Sequence, residues 1–487
     1  MLAKILLLLI FFGGMVCVGV YTRKHATNVD GFVLGGRSVG PWLTAFAYGT
    51  SYFSAVVFIG YAGQFGWKYG MSTTWIGIGN AIIGSLIAWL VLAKPTRRMT
   101  NKLNSTTMPD FFGKRYDSEA LKIAASGIVF IFLIPYTASV YNGLSRLFKM
   151  AFDIPFWVCI VVMAVLTGVY VILGGYMATA VNDFIQGIIM LVGIVIVILA
   201  VLNGKGGFAA AVDSLSKVSD VDIPAGSLTS LFGPDPLNLL GVVILTSLGT
   251  WGLPQMVHKF YTIKDDKAIK TGTIISTIFA TIIAGGSYFL GGFGRLFEPA
   301  MENGKIAFDS IVPNMLSTLP DVLVGIVIVL VLSASMSTLS SLVLTSSSTL
   351  TLDLIKGHVV KQMNEKKQLI IMRSLIVFFI VLSVVIALNP PMFIAQLMGI
   401  SWGALAGAFL APFLYGLYWK GVTRASVWAC FIVGVGITVL NMFFNFFNSP
   451  INAGAAAMIA GLIVVPIVSL VTPKLTKETV EHCFEIR

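Results

Sequence analysis

Hydroxyl side chains are crowded into one apolar stretch of this sequence. The segment SASMSTLSSLVLTSSSTLT places Ser337, Thr338, Ser340 and Ser341 within about one helical turn. Hydroxyl and carbonyl oxygens can bind a small hard cation such as Na⁺ without burying a second charge. The same hydroxyls can instead bond to carbonyls one turn earlier, or pack as small residues against a neighbouring helix. The stretch is therefore a candidate cation site, with these two structural roles as alternatives.

Two apolar segments carry residues that weaken a helix near its middle. Residues 49–54 read GTSYFS, and residues 249–254 read GTWGLP, where Pro254 removes a backbone donor. A broken helix survives in hydrocarbon only where protein or a water-filled cavity satisfies the freed backbone groups. Both breaks are thus candidate binding sites, although Gly and Pro are also common in ordinary membrane helices.

Asp183 is the one acidic residue, among 21 in the chain, that clearly falls inside a predicted membrane helix. A carboxylate within a membrane is a functional candidate because its burial is expensive. In the first turn of a helix, however, a carboxylate is also favoured by free amides and by the helix dipole. Asp183 is therefore either a functional carboxylate or a helix cap.

These residues must be positioned by membrane-spanning helices. The chain has 487 residues, of which 57% are hydrophobic and only 11% charged. Since a span needs about 20 apolar residues, the sequence predicts an all-α integral membrane protein of about thirteen helices. The predicted spans are 3–21, 41–65, 72–93, 121–148, 155–175, 180–202, 237–258, 271–297, 322–352, 371–388, 392–418, 424–446 and 452–472.

The 32 Lys and Arg residues are distributed unevenly between the loops of this topology. With the N-terminus outside and the C-terminus inside, most of them fall in inner loops, Arg37, Arg115 and Lys259 among them. This matches the positive-inside rule and explains the net charge of +11 without a nucleic-acid partner.

Spans two to six and seven to eleven form two sets of five that begin on opposite sides of the membrane, each with an interrupted helix. Inverted repeats of this kind are typical of secondary transporters. The predicted organisation is an extra N-terminal helix and inner loop (1–40), a first repeat (41–202), an outer loop with a short helix (203–236), a second inverted repeat (237–418), and two C-terminal helices with a tail (419–487).

Three strings in order resemble the sodium/solute symporter family along nearly the whole chain. They are GGRSVGP at 35–41, GGYMATAVNDFIQG at 174–187 and SMSTLSS at 335–341. Members of that family transport proline, pantothenate, sugars or sialic acids. The resemblance implies the leucine-transporter-type fold with one extra N-terminal helix and two C-terminal ones.

The resemblance also implies ligands for Na⁺ as the coupling ion. The main sodium site would use carbonyls of Thr50, Phe53 and Ala334 with the hydroxyls of Ser337 and Thr338. A further sodium site, found in some members, would use Asp183, Ser340 and Ser341.

Solute is expected between the broken parts of spans two and seven. The candidate residues are Ser51, Tyr52, Ser54, Gln64, Tyr136, Tyr141, Asn142, Thr246, Thr250 and Trp251. The sodium/proline pattern has an aspartate where this chain has Tyr52, which puts proline in doubt. Several framework segments look closer to the pantothenate-type branch.

The expected function is sodium-coupled import of a small organic solute across the plasma membrane, with an amino acid, a pantothenate-like compound or another monocarboxylate favoured. Alternatives are a proton-coupled carrier of the same fold, which would use Asp183, and a sugar or sialic acid symporter. No enzymatic activity and no obligate protein partner are predicted, since no nucleophile or metal constellation converges in the membrane.

Overall fold

Long apolar segments fold as helices because, in hydrocarbon, every backbone N–H and C=O must be bonded within its own segment. The computed structural model describes residues 2–152, 154–221, 223–299, 301–302, 304–360, 362–389 and 393–484. Its α-helices are α1 (Leu2–Thr22), α2 (Val29–Leu34), α3 (Pro41–Tyr52), α4 (Ala62–Tyr69), α5 (Thr74–Ala81), α6 (Lys94–Lys102), α7 (Met108–Arg115), α8 (Glu119–Phe152), α9 (Phe156–Asn203), α10 (Phe208–Ser216), α11 (Pro236–Leu248), α12 (Pro254–Thr262), α13 (Asp266–Gly291), α14 (Ile311–Ser317), α15 (Asp321–Thr349), α16 (Glu365–Leu388), α17 (Ile394–Tyr418), α18 (Arg424–Phe444), α19 (Pro450–Val471) and α20 (Lys477–Phe484).

Shorter elements connect or extend these helices. The π-helical segments are Val56–Tyr61, Ile82–Ile87, Trp89–Ala93 and Leu350–Val359. The 3₁₀ turns are Arg23–His25, Gly35–Arg37, Gly70–Thr73, Ser227–Thr229, Gly249–Trp251, Gly294–Leu296 and Phe308–Ser310. A small antiparallel hairpin joins β1 (Met301–Glu302) to β2 (Lys305–Ile306).

Among the described residues, eleven helical stretches are long and apolar enough to cross a membrane. Two of these stretches extend over parts of more than one predicted span. Val56–Lys102 has 47 residues, and Phe156–Asn203 has 48 residues, which is about 70 Å of helix for a hydrocarbon core of about 30 Å. The multi-pass all-α class is confirmed, whereas the count of thirteen and the sidedness of the termini stay predictions.

Helix α9 changes direction at Gly175, between the predicted fifth and sixth spans. Gly175 has φ 54° and ψ −144°, the only non-helical backbone angles within α9. A Cβ at this position would lie 2.7 Å from the carbonyl oxygen of Phe32. Glycine is required here both by the positive φ and by the close approach of α2.

Both predicted helix breaks are confirmed. Helix α3 ends at Tyr52, Phe53 is extended (φ −110°, ψ 102°), and helical geometry resumes at Ala55. Helix α11 ends at Leu248, and the chain passes through a 3₁₀ turn and an extended Leu253 (φ −83°, ψ 121°) before α12 begins at Pro254. Proline suits this first helical position because its missing N–H would have no partner there.

The centre of the bundle is formed by α15 and α17. Every residue of α15 from 330 to 349 is buried, and so is nearly all of α17. Peripheral helices instead expose large apolar side chains, for example Leu9 and Ile10 on α1 and Val381 on α16. Such exposed apolar surface is suited to lipid, which supports a membrane location.

Lys259 and Arg115 are not in loops, contrary to the sequence prediction. Lys259 lies within α12 and Arg115 within α7, with exposures of 2% and 0%. The prediction ended the seventh span at residue 258, but Pro254 starts a new helix that runs to Thr262. The basic residue at 259 is therefore carried into the protein interior.

One end of the bundle is closed by contacts between segments that are distant in sequence. The N–H of Val39 donates to the carbonyl of Thr262 (3.1 Å), and the N–H of Lys264 donates to the carbonyl of Val39 (3.1 Å). Arg37 donates to the Ser105 carbonyl at 2.5 Å. The first two bonds join the segment before α3 to the end of α12, and Arg37 joins the same segment to the loop between α6 and α7.

The crossing of α17 and α18 depends on a close backbone approach at Gly434. A Cβ on Gly434 would lie 2.3 Å from the carbonyl carbon of Gly407, whereas a Cβ on Gly436 would meet nothing within 4 Å. We expect Gly434→Ala to lower the unfolding free energy by about 1–3 kcal/mol, because the helices must separate. Thermal unfolding of the detergent-purified protein measures this effect.

Gly436→Ala is the matched control, since it adds the same methyl group on the same helix. Its effect should stay within about 0.5 kcal/mol. Equal stability of the two variants would contradict the packing argument.

Candidate functional site

The hydroxyl of Thr338 lies against the broken end of α3. Its Oγ1 is 3.3 Å from the carbonyl oxygen of Thr50, 3.4 Å from that of Ser51 and 3.1 Å from that of Ala334. The last carbonyls of a helix have no partner within the helix, so the break at Phe53 leaves oxygens of α3 available. Oxygens of α3 and α15 thus converge on one point.

Ser337 extends this cluster on the same turn of α15. Its Oγ donates to the Oγ1 of Thr50 at 2.7 Å, and Thr50 in turn donates to the carbonyl of Phe46 at 2.7 Å. All of these side chains are fully buried. Four of the five residues predicted for the main sodium site are joined by direct contacts, and Phe53 adjoins them in the break.

The cluster is chemically suited to a monovalent cation. Its direct hydrogen bonds join hydroxyl and carbonyl oxygens, which are neutral ligands of the hard type that Na⁺ prefers, and the Asp183 carboxylate lies beside Ser337. A hydroxyl can serve as an acceptor as well as a donor, so Thr338 and Ser337 can turn their lone pairs toward an ion. The alternative of bonding one turn back is only partly realised, because Thr338 also contacts α3.

Residues predicted for the further sodium site lie one turn along α15. The Oγ of Ser341 is 2.8 Å from the Oγ of Ser51, which ties α15 to α3 again. Ser340 bonds within its own helix, donating to the Ser337 carbonyl at 2.8 Å. The ammonium of Lys259 also reaches this position, donating to Ser341 Oγ at 3.0 Å.

Asp183 faces the same ammonium. Its Oδ2 is 3.9 Å from Lys259 Nζ, and the carboxylate also faces the Ser337 side chain, without meeting full hydrogen-bond geometry among the described residues. Asp183 lies in the interior of α9, eight positions beyond the kink at Gly175. A cap in the first turn of a helix therefore does not account for it.

An aromatic cluster lies between the two helix breaks. The ring of Trp402 on α17 is 6.1 Å from the ring of Tyr52 and 5.9 Å from that of Tyr136. A Cβ on Gly249 would be 2.7 Å from Trp402 Cε3. The Tyr136 hydroxyl faces the side chains of Ser54 and Trp402, and neither it nor the Trp402 indole N–H reaches full hydrogen-bond geometry among the described residues, so both can bind a solute.

Several other predicted solute residues use their polar atoms on backbone groups. Tyr52 donates to the Thr246 carbonyl at 2.5 Å, and Trp251 Nε1 donates to the Ile83 carbonyl at 3.0 Å. The hydroxyls do the same: Thr246 donates to the carbonyl of Val242, Thr250 to that of Gly84, and Ser54 accepts from the N–H of Val56. These groups hold the breaks in shape.

The remaining predicted solute residues are buried, but each one faces different neighbours. Ser51 faces Ser341, and Asn142 accepts from Arg146 Nε at 3.3 Å. Gln64 Oε1 has no hydrogen-bond partner among the described residues, and the Tyr141 hydroxyl faces the side chain of Thr167. In the described part of the chain, Gln64, Tyr141 and Asn142 make no hydrogen bond or ring contact with Trp402, so their place in a solute site stays a prediction.

Sequence reasoning missed Trp402 and Lys259. Trp402 lies in the sequence GISWGALAG, whose small residues give no sign of a binding role. The sequence gives a stronger indication that Lys259 is inside a helix. It follows a broken helix, and uncharged residues beginning FYT separate it from the next charges at Lys264 and Asp265. Extending the helix from Pro254 by two turns would have placed it inside.

Comparison with known proteins supports the same assignment. Residues 32–434 match the sodium:solute symporter family. The sodium/proline symporter of Staphylococcus aureus is 31% identical over 97% of this chain and 93% of its own length.

Solved structures share the fold. A Na⁺-coupled sialic acid symporter, in a substrate-bound outward-open state with a novel Na⁺ site, has a TM-score of 0.78 at 17% identity over 98% of this chain and 99% of its own. MhsT in complex with L-phenylalanine has a TM-score of 0.55 at 15% identity, over 88% of this chain and 98% of its own. These are leucine-transporter-type folds. From the family match and the full-length relative, the chain belongs to the sodium:solute symporter family.

Proposed function

We propose that this protein is a sodium-driven symporter that imports a small organic solute across the plasma membrane by alternating access. The observation that carries the proposal is the contact of Thr338 with the carbonyls of Thr50 and Ser51 at the break in α3. Sodium bound here would hold α3 against α15 and favour the state in which the solute pocket is formed. Closure and release on the inner side would then follow the sodium gradient.

The proposed topology has thirteen spans, with the N-terminus outside and the C-terminus inside. The kink at Gly175 supports counting α9 as two spans, and the break in α3 supports counting Pro41–Tyr69 as a separate one. On this count, 41–202 and 237–418 are the inverted five-helix repeats. The segments 1–40, 203–236 and 419–487 are additions to that pair.

The proposed solute is an amino acid, a pantothenate-like compound or another monocarboxylate. It would lie beside Tyr52, Tyr136 and Trp402, where unpartnered polar atoms meet aromatic rings. The sodium/proline relative supports an amino acid, and the sialic acid symporter keeps an acidic sugar as an alternative.

One ion supplies enough energy for useful accumulation. A single charge crossing ~100 mV releases ~2.3 kcal/mol, and a tenfold sodium gradient adds ~1.4 kcal/mol. Together these correspond to a solute gradient on the order of several hundredfold.

Uptake into proteoliposomes tests the function directly. An inward sodium gradient should drive uptake of at least one of proline, pantothenate, short monocarboxylates, sugars and sialic acid. A potassium gradient of equal size is the control for ionic strength. Uptake driven equally well by a proton gradient without sodium would instead favour the proton-coupled alternative.

Removing both site hydroxyls, as Ser337→Ala with Thr338→Ala, should raise the sodium concentration for half-maximal uptake by about 10- to 100-fold, because two oxygen ligands are lost. Initial uptake rates at varied sodium measure the change. Ser335→Ala is the matched control, since Ser335 is buried on the same helix and donates only to the Val331 carbonyl (2.6 Å). An unchanged sodium dependence in the double variant would contradict the site.

Trp402→Phe keeps an aromatic ring but removes the indole N–H. We expect the KM for the transported solute to rise about tenfold, the value of one lost hydrogen bond, while sodium binding without solute stays unchanged. Tyr415→Phe is the control on α17, because its hydroxyl donates to Leu462 (3.0 Å), away from the aromatic cluster. If KM does not change, the solute does not contact Trp402.

A further inference from the structure

Lys259 is a cation enclosed by the bundle. It is 2% exposed, and its Nζ lies 3.0 Å from Ser341 Oγ, 3.9 Å from Asp183 Oδ2 and 5.2 Å from the centre of the Tyr176 ring. A charged side chain in a membrane protein's interior needs a partner, and these groups provide a hydroxyl, a carboxylate and an aromatic face. The ammonium is therefore accommodated as an ion.

The partners of Lys259 coincide with the ligands predicted for the further sodium site. Ser341 and Asp183 are two of the three predicted ligands, and the third, Ser340, donates to its own helix. The residues that the family resemblance assigns to a second ion thus already surround a fixed positive charge.

We propose that the Lys259 ammonium is the resident cation of this second cluster, so that the protein binds a single sodium ion at the first. The inference rests on the proposed sodium site at Thr338. Lys259 thereby determines ion stoichiometry without belonging to the sodium site itself.

Charge balance supports this assignment. Lys259 and Asp183 form a buried pair with no net charge, and Asp183, which also faces Ser337, is the carboxylate that this ammonium already neutralises. A second sodium at Asp183 would place two cations beside one anion within a few ångströms, where their repulsion is weakly screened. Either cation can neutralise the carboxylate, but not both together.

Hydrogen-bond chemistry supports it as well. An ammonium only donates, so the oxygen of Ser341 must accept from Lys259. Ser341 is also bonded to Ser51 at 2.8 Å, and its own proton can serve that bond. One of the two lone pairs of Ser341 Oγ is thus already used by Lys259, and a sodium ion here would have to share this oxygen with the ammonium.

The connection to transport follows from where Lys259 is attached. It lies on α12, the second half of the second broken helix, whereas Ser341 and Asp183 lie on α15 and α9. A covalently attached cation cannot leave with the solute. The contact between these three helices therefore persists when sodium is released, and the driving force is that of one ion.

Sodium binding to the purified full-length protein tests the inference without any solute. Radioactive sodium is the probe, and the measurement is the number of ions bound per chain at saturation. Wild-type protein should bind one, and Lys259→Gln should bind two, because the neutral amide frees Asp183 and Ser341. Lys259→Arg retains the charge and should bind one.

Two combined variants locate the ions. Lys259→Gln with Asp183→Asn should return to one ion, since the carboxylate is gone. At a sodium concentration that just saturates wild-type protein, Lys259→Gln with Ser337→Ala and Thr338→Ala should keep the ion at Asp183 and lose most of the first, whereas the Ser337→Ala and Thr338→Ala changes alone should leave little sodium bound.

Two ions bound by wild-type protein would overturn this inference and leave the proposed function intact. Folded Lys259→Gln that binds only one ion would also overturn it. No binding by wild-type protein would contradict the proposed function itself, and with it this inference. If Lys259→Gln does not fold, the wild-type count decides alone: one supports the inference and two refutes it.

Discussion

The contact between the broken end of α3 and the hydroxyls of α15 is the interaction on which this architecture depends. Carbonyls freed at Phe53 would each cost several kcal/mol, roughly, if they faced hydrocarbon. Thr338 lies within hydrogen-bond distance of two of them, and Ser337 bonds to Thr50. The break is thus tolerated because α15 supplies polar partners. The oxygens that make it tolerable are also the ones that can bind an ion.

The second break, at Gly249, is stabilised differently from the first. The proposed solute and sodium sites therefore use different groups. Around Gly249 the polar groups bond to backbone: Thr250 to Gly84 and Trp251 to Ile83. Gly249 itself lies against Trp402, which also contacts the ring of Tyr52 beside the first break. One aromatic residue thereby touches both broken helices. A solute at Trp402 would be sensitive to the position of α3, which sodium is proposed to fix.

The sequence allowed both breaks and most span positions to be predicted, because each depends on local chemistry, whereas the pairing of Thr50 with Ser337 and Thr338 came from the family resemblance. Gly, Ser, Thr and Pro weaken helices wherever they occur, and an apolar run needs no partner to be recognised. The helix breaks at residues 49–54 and 249–254 can therefore be recognised from the sequence without knowledge of the fold. The short helix α10 in the long loop was anticipated on the same grounds.

What could not be predicted depends on which helix faces which. Trp402 gains its role only because α17 crosses both breaks, and Lys259 only because α12 directs it toward Ser341 on α15. Counting basic residues by side assumes that those near span ends are in loops, an assumption that fails where proline begins a new helix.

The error at Lys259 has a physical meaning. A lysine can lie inside a membrane bundle only if the bundle supplies an anion, and Asp183 is the intramembrane carboxylate that the sequence had singled out. The two charges therefore explain each other's burial, although neither residue considered alone indicates a pair.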